Sequence, residues 1–226
     1  MEEMQVNKKP MISNKKEFME QAVSFLDTIF ANAVRHNLGK IEIMKFENMR
    51  RYFCSTTTGA AELAYDFCNE GYTVKFGVNP KKSRMLGRHR LEYLTAFHVD
   101  LKTFKPYDKY NKKIHIDDLI KIEAFFFKPS IVVDTGSGYS CYWIPEEPLE
   151  IKDDSVSLFN NINEALGKSL GANLRDYKID STLIVPGTYQ FLERDNIFRK
   201  TSIISSSNIK YTYNDILTNY SIISLM

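Results

Sequence analysis

The sequence predicts an α/β (α+β) fold, and three observations carry that expectation. Stretches with apolar residues at helical spacing interleave with short alternating or β-branched stretches along all 226 residues. Glycine and proline punctuate the joins, and no internal repeat or low-complexity segment interrupts them. A hydrophobic content of 43% with 26% charged residues lets a chain of this length bury a proper core.

In order, Met1 to Asn14 is polar and lysine-containing and reads as a loose arm. Lys15 to Asn37 predicts an amphipathic helix, because Phe18, Ala22, Phe25, Leu26, Ile29, Phe30 and Ala33 fall on one face. Asn14 with Glu17 resembles a capping box, and Gly39 stands where the helix would stop. Lys40 to Phe46 alternates as a strand, and Arg50 and Arg51 read as a solvated helix face. Thr56 to Asn69 predicts a second helix ended by Gly71, and Tyr72 to Val78 a strand. A basic loop, Asn79 to Arg90, precedes one long strand over Glu92 to Leu101. Ile116 to Lys128 and Asp154 to Leu170 predict helices. Thr182 to Val185 is a strand closed by Pro186-Gly187-Thr188, and Tyr189 to Leu192 continues it. The tail offers a strand near Ser202 to Ser205 and a helix near Asn214 to Tyr220.

Between the third and fourth helices lies Ile131 to Trp143, Ile-Val-Val-Asp-Thr-Gly-Ser-Gly-Tyr-Ser-Cys-Tyr-Trp. Three β-branched residues, a small-residue turn and an aromatic return strand make a hairpin. Gly136 and Gly138 lack a Cβ, so a phosphate or nucleic-acid backbone can approach there.

Charge and cysteine usage narrow the function classes. Net charge is +2, but ten Lys/Arg against three acids between Lys81 and Lys113 leave that window at +7 and the remainder at −5. Such a patch suits a polyanion, with Lys81, Lys82, Arg84, Arg88, His89 and Arg90 as its nucleic-acid-facing residues. Cys54, Cys68 and Cys141 have no metal spacing and read as free thiols in a reducing cytoplasm. No apolar run of 18 residues and no signal peptide argue for a membrane.

Four pieces, in this order, together resemble one family. They are Gly77-Val78-Asn79-Pro80 before a basic loop, and Val99-Asp100-Leu101-Lys102 ending a strand. Thr135-Gly136-Ser137-Gly138-Tyr139 before Cys141-Tyr142-Trp143 is the third. Leu170-Gly171-Ala172 before Pro186-Gly187-Thr188 is the fourth. The chain is similar to the archaeo-eukaryotic primase superfamily, specifically the primase-polymerase domains of plasmid and phage replication proteins. The resemblance implies a single two-lobed domain over 15–226. An α/β module (15–90) would pack on a sheet resembling an RNA-recognition motif (91–200), with a C-terminal extension (201–226) and a cleft between the lobes. It also implies templated nucleotidyl transfer from nucleoside triphosphates, with Mg or Mn held by carboxylates, on single-stranded or primed DNA, and a replication helicase as a partner.

This sequence departs from that pattern at the positions that carry chemistry. Asp100 fills the first carboxylate place, but Lys102 stands at the second, and Ser140 replaces the histidine of the hairpin. Lys178 falls at the third acid, which Asp180 or Asp176 reaches only with a two-residue shift. Ile184 stands for an arginine, and Gln190 and Leu192 for an asparagine and a lysine. The resemblance thus assigns Asp100 and Asp180 to catalysis and metal if activity survives, and Ser137, Gly138, Ser140, Lys102 and Lys178 to nucleotide phosphate. Two unit charges at 4 Å and an effective dielectric near 20 interact by roughly 4 kcal/mol, so an ammonium at Lys102 opposes a divalent ion beside Asp100. The expectation is a catalytically depleted primase-polymerase-like domain that binds nucleic acid or nucleotide. The alternatives are an active enzyme with a non-standard ligand set and a protein-interaction module on the same fold.

Overall fold

A computed structural model describes residues 10–82, 91–102, 113–152, 155–172, 177–192 and 197–225. The first third runs α1 (Lys15–Arg35), β1 (Ile41–Lys45), β2 (Arg50–Cys54), α2 (Thr57–Asn69) and β3 (Val74–Gly77). The middle runs β4 (Tyr93–Leu94), β5 (Phe97–Lys102), α3 (Lys113–Ala124), β6 (Ile131–Asp134), β7 (Gly138–Trp143) and β8 (Leu149–Glu150). Then follow α4 (Ser155–Leu170), β9 (Thr182–Ile184), β10 (Tyr189–Leu192), β11 (Ile197–Lys200), β12 (Ser202–Ser206) and α5 (Tyr213–Ile223).

Two four-stranded antiparallel sheets organise these elements, in the orders β2-β1-β3-β9 and β12-β6-β7-β5. The hairpin of β6 and β7 therefore forms the middle of the second sheet. α1 begins at the expected cap, where Asn14 Oδ1 accepts from Glu17 N–H at 3.1 Å, and it buries the seven residues its spacing singles out. Ile12, within the expected arm, is buried, and its N–H donates to Asn69.

One face of each sheet turns toward α1. The ring of Phe25 lies 5.3 Å from Phe76 of β3 and 5.6 Å from Tyr142 of β7, both edge-on. A single helix thus joins the two sheets through one apolar cluster. The opposite face of the second sheet carries Phe97, Val99, Leu101, Cys141 and Trp143 against Ile122 of α3 and Phe159, Ile162 and Leu166 of α4. Trp143 is fully buried and gives its indole N–H to Phe127 O at 2.9 Å.

Three local readings are corrected. Arg50 and Arg51 stand on strand β2, where Arg51 pairs with Met44 and reaches the buried Glu42 at 2.5 Å. Tyr189–Leu192 does not extend β9. It turns at Pro186-Gly187 and forms its own hairpin with β11.

The strand expected over Glu92 to Leu101 is broken at Thr95-Ala96. Its N–H groups leave the ladder for the side chain of Asn79, whose Oδ1 accepts from Thr95 N at 2.7 Å and Ala96 N at 3.1 Å. The Asn79 amide also donates to Ile179 O at 2.9 Å. The residue is fully buried, so each of these bonds replaces one that water would otherwise make. Just before it, Gly77 leaves room for Glu42, since a Cβ there would sit 2.7 Å from Glu42 Oε2.

Asn79→Ala orphans two buried N–H groups and one carbonyl and is expected to cost about 2–4 kcal/mol, read as a lower urea midpoint at unchanged slope. Burial raises the Cys54 thiol from 9.0 to about 11. Its thiolate fraction at pH 8 is then about a hundredfold below that of an open thiol. Alkylation of Cys54 in the native protein should therefore keep rising about tenfold per pH unit up to pH 10, where a free thiol levels off near 9.

Candidate functional site

Strand alternation sorts the second sheet chemically. Val99, Leu101 and Cys141 point into the helix-side core, whereas Asp100 and Ser140 pair across β5 and β7 on the other face. There Ser140 Oγ donates to Asp100 Oδ1 at 2.9 Å. Facing them, β3 supplies Lys75, β9 supplies Thr182 and Ile184, β10 supplies Gln190, and the hairpin turn supplies Thr135 and Ser137. Both sheets and the turn thus converge on one narrow cleft. The Lys75 ammonium stands 4.0 Å from the centre of the Phe46 ring, a cation–π contact that orients it. Ser137 Oγ donates to Gln190 Oε1 at 3.4 Å, closing the turn against the β10–β11 hairpin.

The turn is shaped by its own residues. Asp134 Oδ1 accepts from Gly136 N at 2.7 Å, and Thr135 Oγ1 donates to Gly138 O at 3.1 Å. Asp134 pairs with Tyr139, whose side chain belongs to the helix-side core, so this carboxylate lies on the far face from Asp100. Burial, and then the Asp134 charge, push the Tyr139 hydroxyl up. Gly136 has φ +79°, and a Cβ there would meet Arg199 Cβ at 2.8 Å. Arg199 also donates to Gly136 O at 3.3 Å. The gap expected to admit a phosphate at Gly136 is filled by the chain's own β11.

Burial and the nearby Asp100 charge raise both the Cys141 thiol and the Tyr142 hydroxyl. Cys141 is therefore a neutral packing group beneath the cleft.

Of the residues singled out from the sequence, Asp100, Ser137 and Ser140 meet in this cleft, together with Ile184 and Gln190. Gly138 pairs with Lys102 at the end of β5. Lys178 and Asp180 occupy the turn before β9, where Ser181 N donates to Lys178 O at 2.9 Å. Neither is among the described residues that line the cleft. Lys81 is turned inward, 4% exposed, with its ammonium 3.8 Å from Glu42 Oε2, and Lys82 pairs with Glu92 on the surface. Arg84, Arg88, His89, Arg90 and Asp176 lie outside the described residues, as does the side chain of Lys102. Tyr142 and Trp143 are fully buried, and neither ring is open to a stacked base.

Sequence reading missed Lys75 and Arg199. Lys75 had a usable signal, the one polar residue between buried Val74 and Phe76 in an expected strand. Arg199 had none, because β11 itself was not expected. Among the described residues, no group of three or more His, Cys, Asp or Glu could hold a metal, and no helix is long and apolar enough to cross a membrane.

Solved structures share this fold. The AEP domain of the cyanophage S-2L primase-polymerase superposes with a TM-score of 0.56 at 11% identity, over 88% of this chain and 96% of that one. The fold is archaeo-eukaryotic primase-like. Primase RepB' superposes at 0.57 and 11% identity, over 94% of this chain and 64% of that chain. The catalytic domain of primase RepB' in complex with initiator DNA superposes at 0.55 and 11%, over 91% and 96%. No family model and no curated protein matches the sequence. At this identity the likeness establishes the primase-like fold, while the cleft's own side chains must carry any argument about chemistry.

Gly136→Ala combines a left-handed φ with a collision against Arg199. It is expected to destabilise the chain by about 1–3 kcal/mol, measured by thermal or urea unfolding.

Proposed function

We propose that this chain is a primase-polymerase-like domain of a mobile-element DNA replication protein that binds nucleic acid or nucleotide in its cleft and is catalytically depleted. The observation that supports this reading is the company Asp100 keeps. Its neighbour across the strand pair is a serine hydroxyl at 2.9 Å, and the wall opposite presents Ile184 and the ammonium-bearing Lys75.

The donor set suits an anion better than a cation. Asp100 is the one carboxylate among the described residues lining the cleft, with Thr135, Ser137, Ser140 and Thr182 hydroxyls around it. Hydroxyls and an ammonium match phosphate oxygens, whereas a pair of Mg or Mn ions requires several carboxylates. The described residues of this cleft do not fit a two-metal centre. One of the similar structures is a primase catalytic domain in complex with initiator DNA, which makes DNA the first ligand to test.

In this reading Lys75 and the hydroxyls hold phosphate, Ser137 and Gly138 shape the turn that closes over it, and Asp100 opposes it. Asp100→Ala then tightens deoxynucleoside triphosphate binding by about threefold or more, and Lys75→Ala loosens it by about fivefold, measured by calorimetry. Single-stranded DNA binding should weaken with salt, at a log–log slope of about −0.7 per phosphate neutralised. Primed and unprimed templates supplied with triphosphates and either Mg or Mn should yield no product. Template-dependent extension that Asp100→Ala abolishes would overturn the depleted reading and make Asp100 a catalytic residue, and loss in Asp180→Ala as well would add Asp180 to it.

A further inference from the structure

Among the described residues, the second sheet ends at β12 with no further strand beside it. β12 pairs only with β6 among the described residues, so alternate N–H and C=O groups along Ser202–Ser206 point away from the sheet. Its sequence, Ser-Ile-Ile-Ser-Ser, holds no charge and no proline, and four of its five residues are exposed, with Ile204 at 42%. A bulge between Ile203 and Ser205 interrupts its register. Other edges are managed differently. β2 carries Arg50 and Arg51, and the His98 N–H on β5 is taken by Asn163 Oδ1 of α4 at 2.9 Å. An open, uncharged edge of this kind is a template for an added strand.

A groove of about 660 Å³ lies beside the chain that continues this edge. One wall is α1, with Glu20, Ser24 and Asp27. The other is the segment after β12, with Ile209 and Lys210, anchored by the Ser207 N–H on Ser130 O at 2.9 Å. Two acids on the helix wall against one lysine make the groove unsuited to a polyanion. It also lies at the end of β12 opposite the hairpin turn, since Ser206 pairs with Ile131 and Ser202 with Asp134.

We propose that this edge and groove take up an extended segment of a partner protein as a fifth strand, with lysine or arginine side chains facing Glu20 and Asp27. Main-chain bonds to β12 supply the affinity, and the acids select the sequence. A second copy of the chain fits less well. It would bring Ser-Ile-Ile-Ser-Ser with no cation for the helix wall, and five edge residues bury well under the roughly 800 Å² per partner of a stable interface.

The test uses the whole chain and two fluorescent decapeptides, one alternating valine with lysine and the other valine with glutamate. The lysine peptide is expected to bind at least about tenfold tighter and to slow amide exchange across Ser202–Ser206 by about tenfold or more. Glu20→Lys and Ile204→Lys, both at exposed positions, should each weaken it about fivefold at unchanged circular dichroism. Equal affinity for the two peptides, no binding, or protection confined to other strands overturns the proposal. So does a concentration-dependent dimer in sedimentation that Ile204→Lys dissolves, which would assign the edge to a second copy.

Discussion

One buried carboxamide holds the two halves of this molecule in register. Asn79 leaves the end of β3, accepts from the N–H groups of Thr95 and Ala96 where the chain enters β5, and donates to Ile179 ahead of β9. The first sheet, the second sheet and the crossing back to the first therefore meet on a single side chain. A buried amide tolerates little displacement, because any group it releases has no water to turn to. Asp100 lies four residues beyond Ala96 and Thr182 three beyond Ile179, so this amide sets how far apart the cleft walls stand.

Around that point, the residues that shape the fold differ from those that would do chemistry. Gly77 makes space for Glu42, Gly136 makes the turn that Arg199 covers, and Asn79 ties the sheets. Among the described residues, the cleft between these supports is lined by four hydroxyls, the Gln190 amide, Lys75, Leu183, Ile184 and the Asp100 carboxylate. A fold shared with primases at 11% identity is what such a division allows. Close packing and turn geometry constrain the scaffold, while side chains projecting into a cleft change without disturbing it.

Electrostatics divides the surface in a way net charge hides. Lys81 is drawn inside to neutralise Glu42, and Lys82 is engaged by Glu92, so neither lysine contributes a bare positive charge. Among the described residues, the cleft is lined by Lys75 of β3, and Arg199 of β11 lies against its hairpin turn. At the far end of β12 the α1 wall is acidic.

How much of this was legible follows from the range of each interaction. The start and the buried face of α1 were readable, because its cap and its seven buried positions depend on spacing within one helix, although it ends at Arg35 rather than Asn37. The hairpin was readable because turn chemistry and β-branching are local, and resemblance brought Asp100, Ser140, Ile184 and Gln190 toward one site. β2 was not, since Arg50 and Arg51 announce a strand only once Glu42 lies opposite. The break at Thr95-Ala96 escaped for the same reason, its cause lying 16 residues back in Asn79. The sequence by itself determined the alternation of helices and strands and the core faces, because both follow from spacing along one element. Only the tertiary structure decided that Lys81 is interior, that Arg199 fills the space beside Gly136 and that Lys75 lines the cleft. Each of those depends on which distant backbone comes within a few ångströms, and no local pattern of residues encodes that distance.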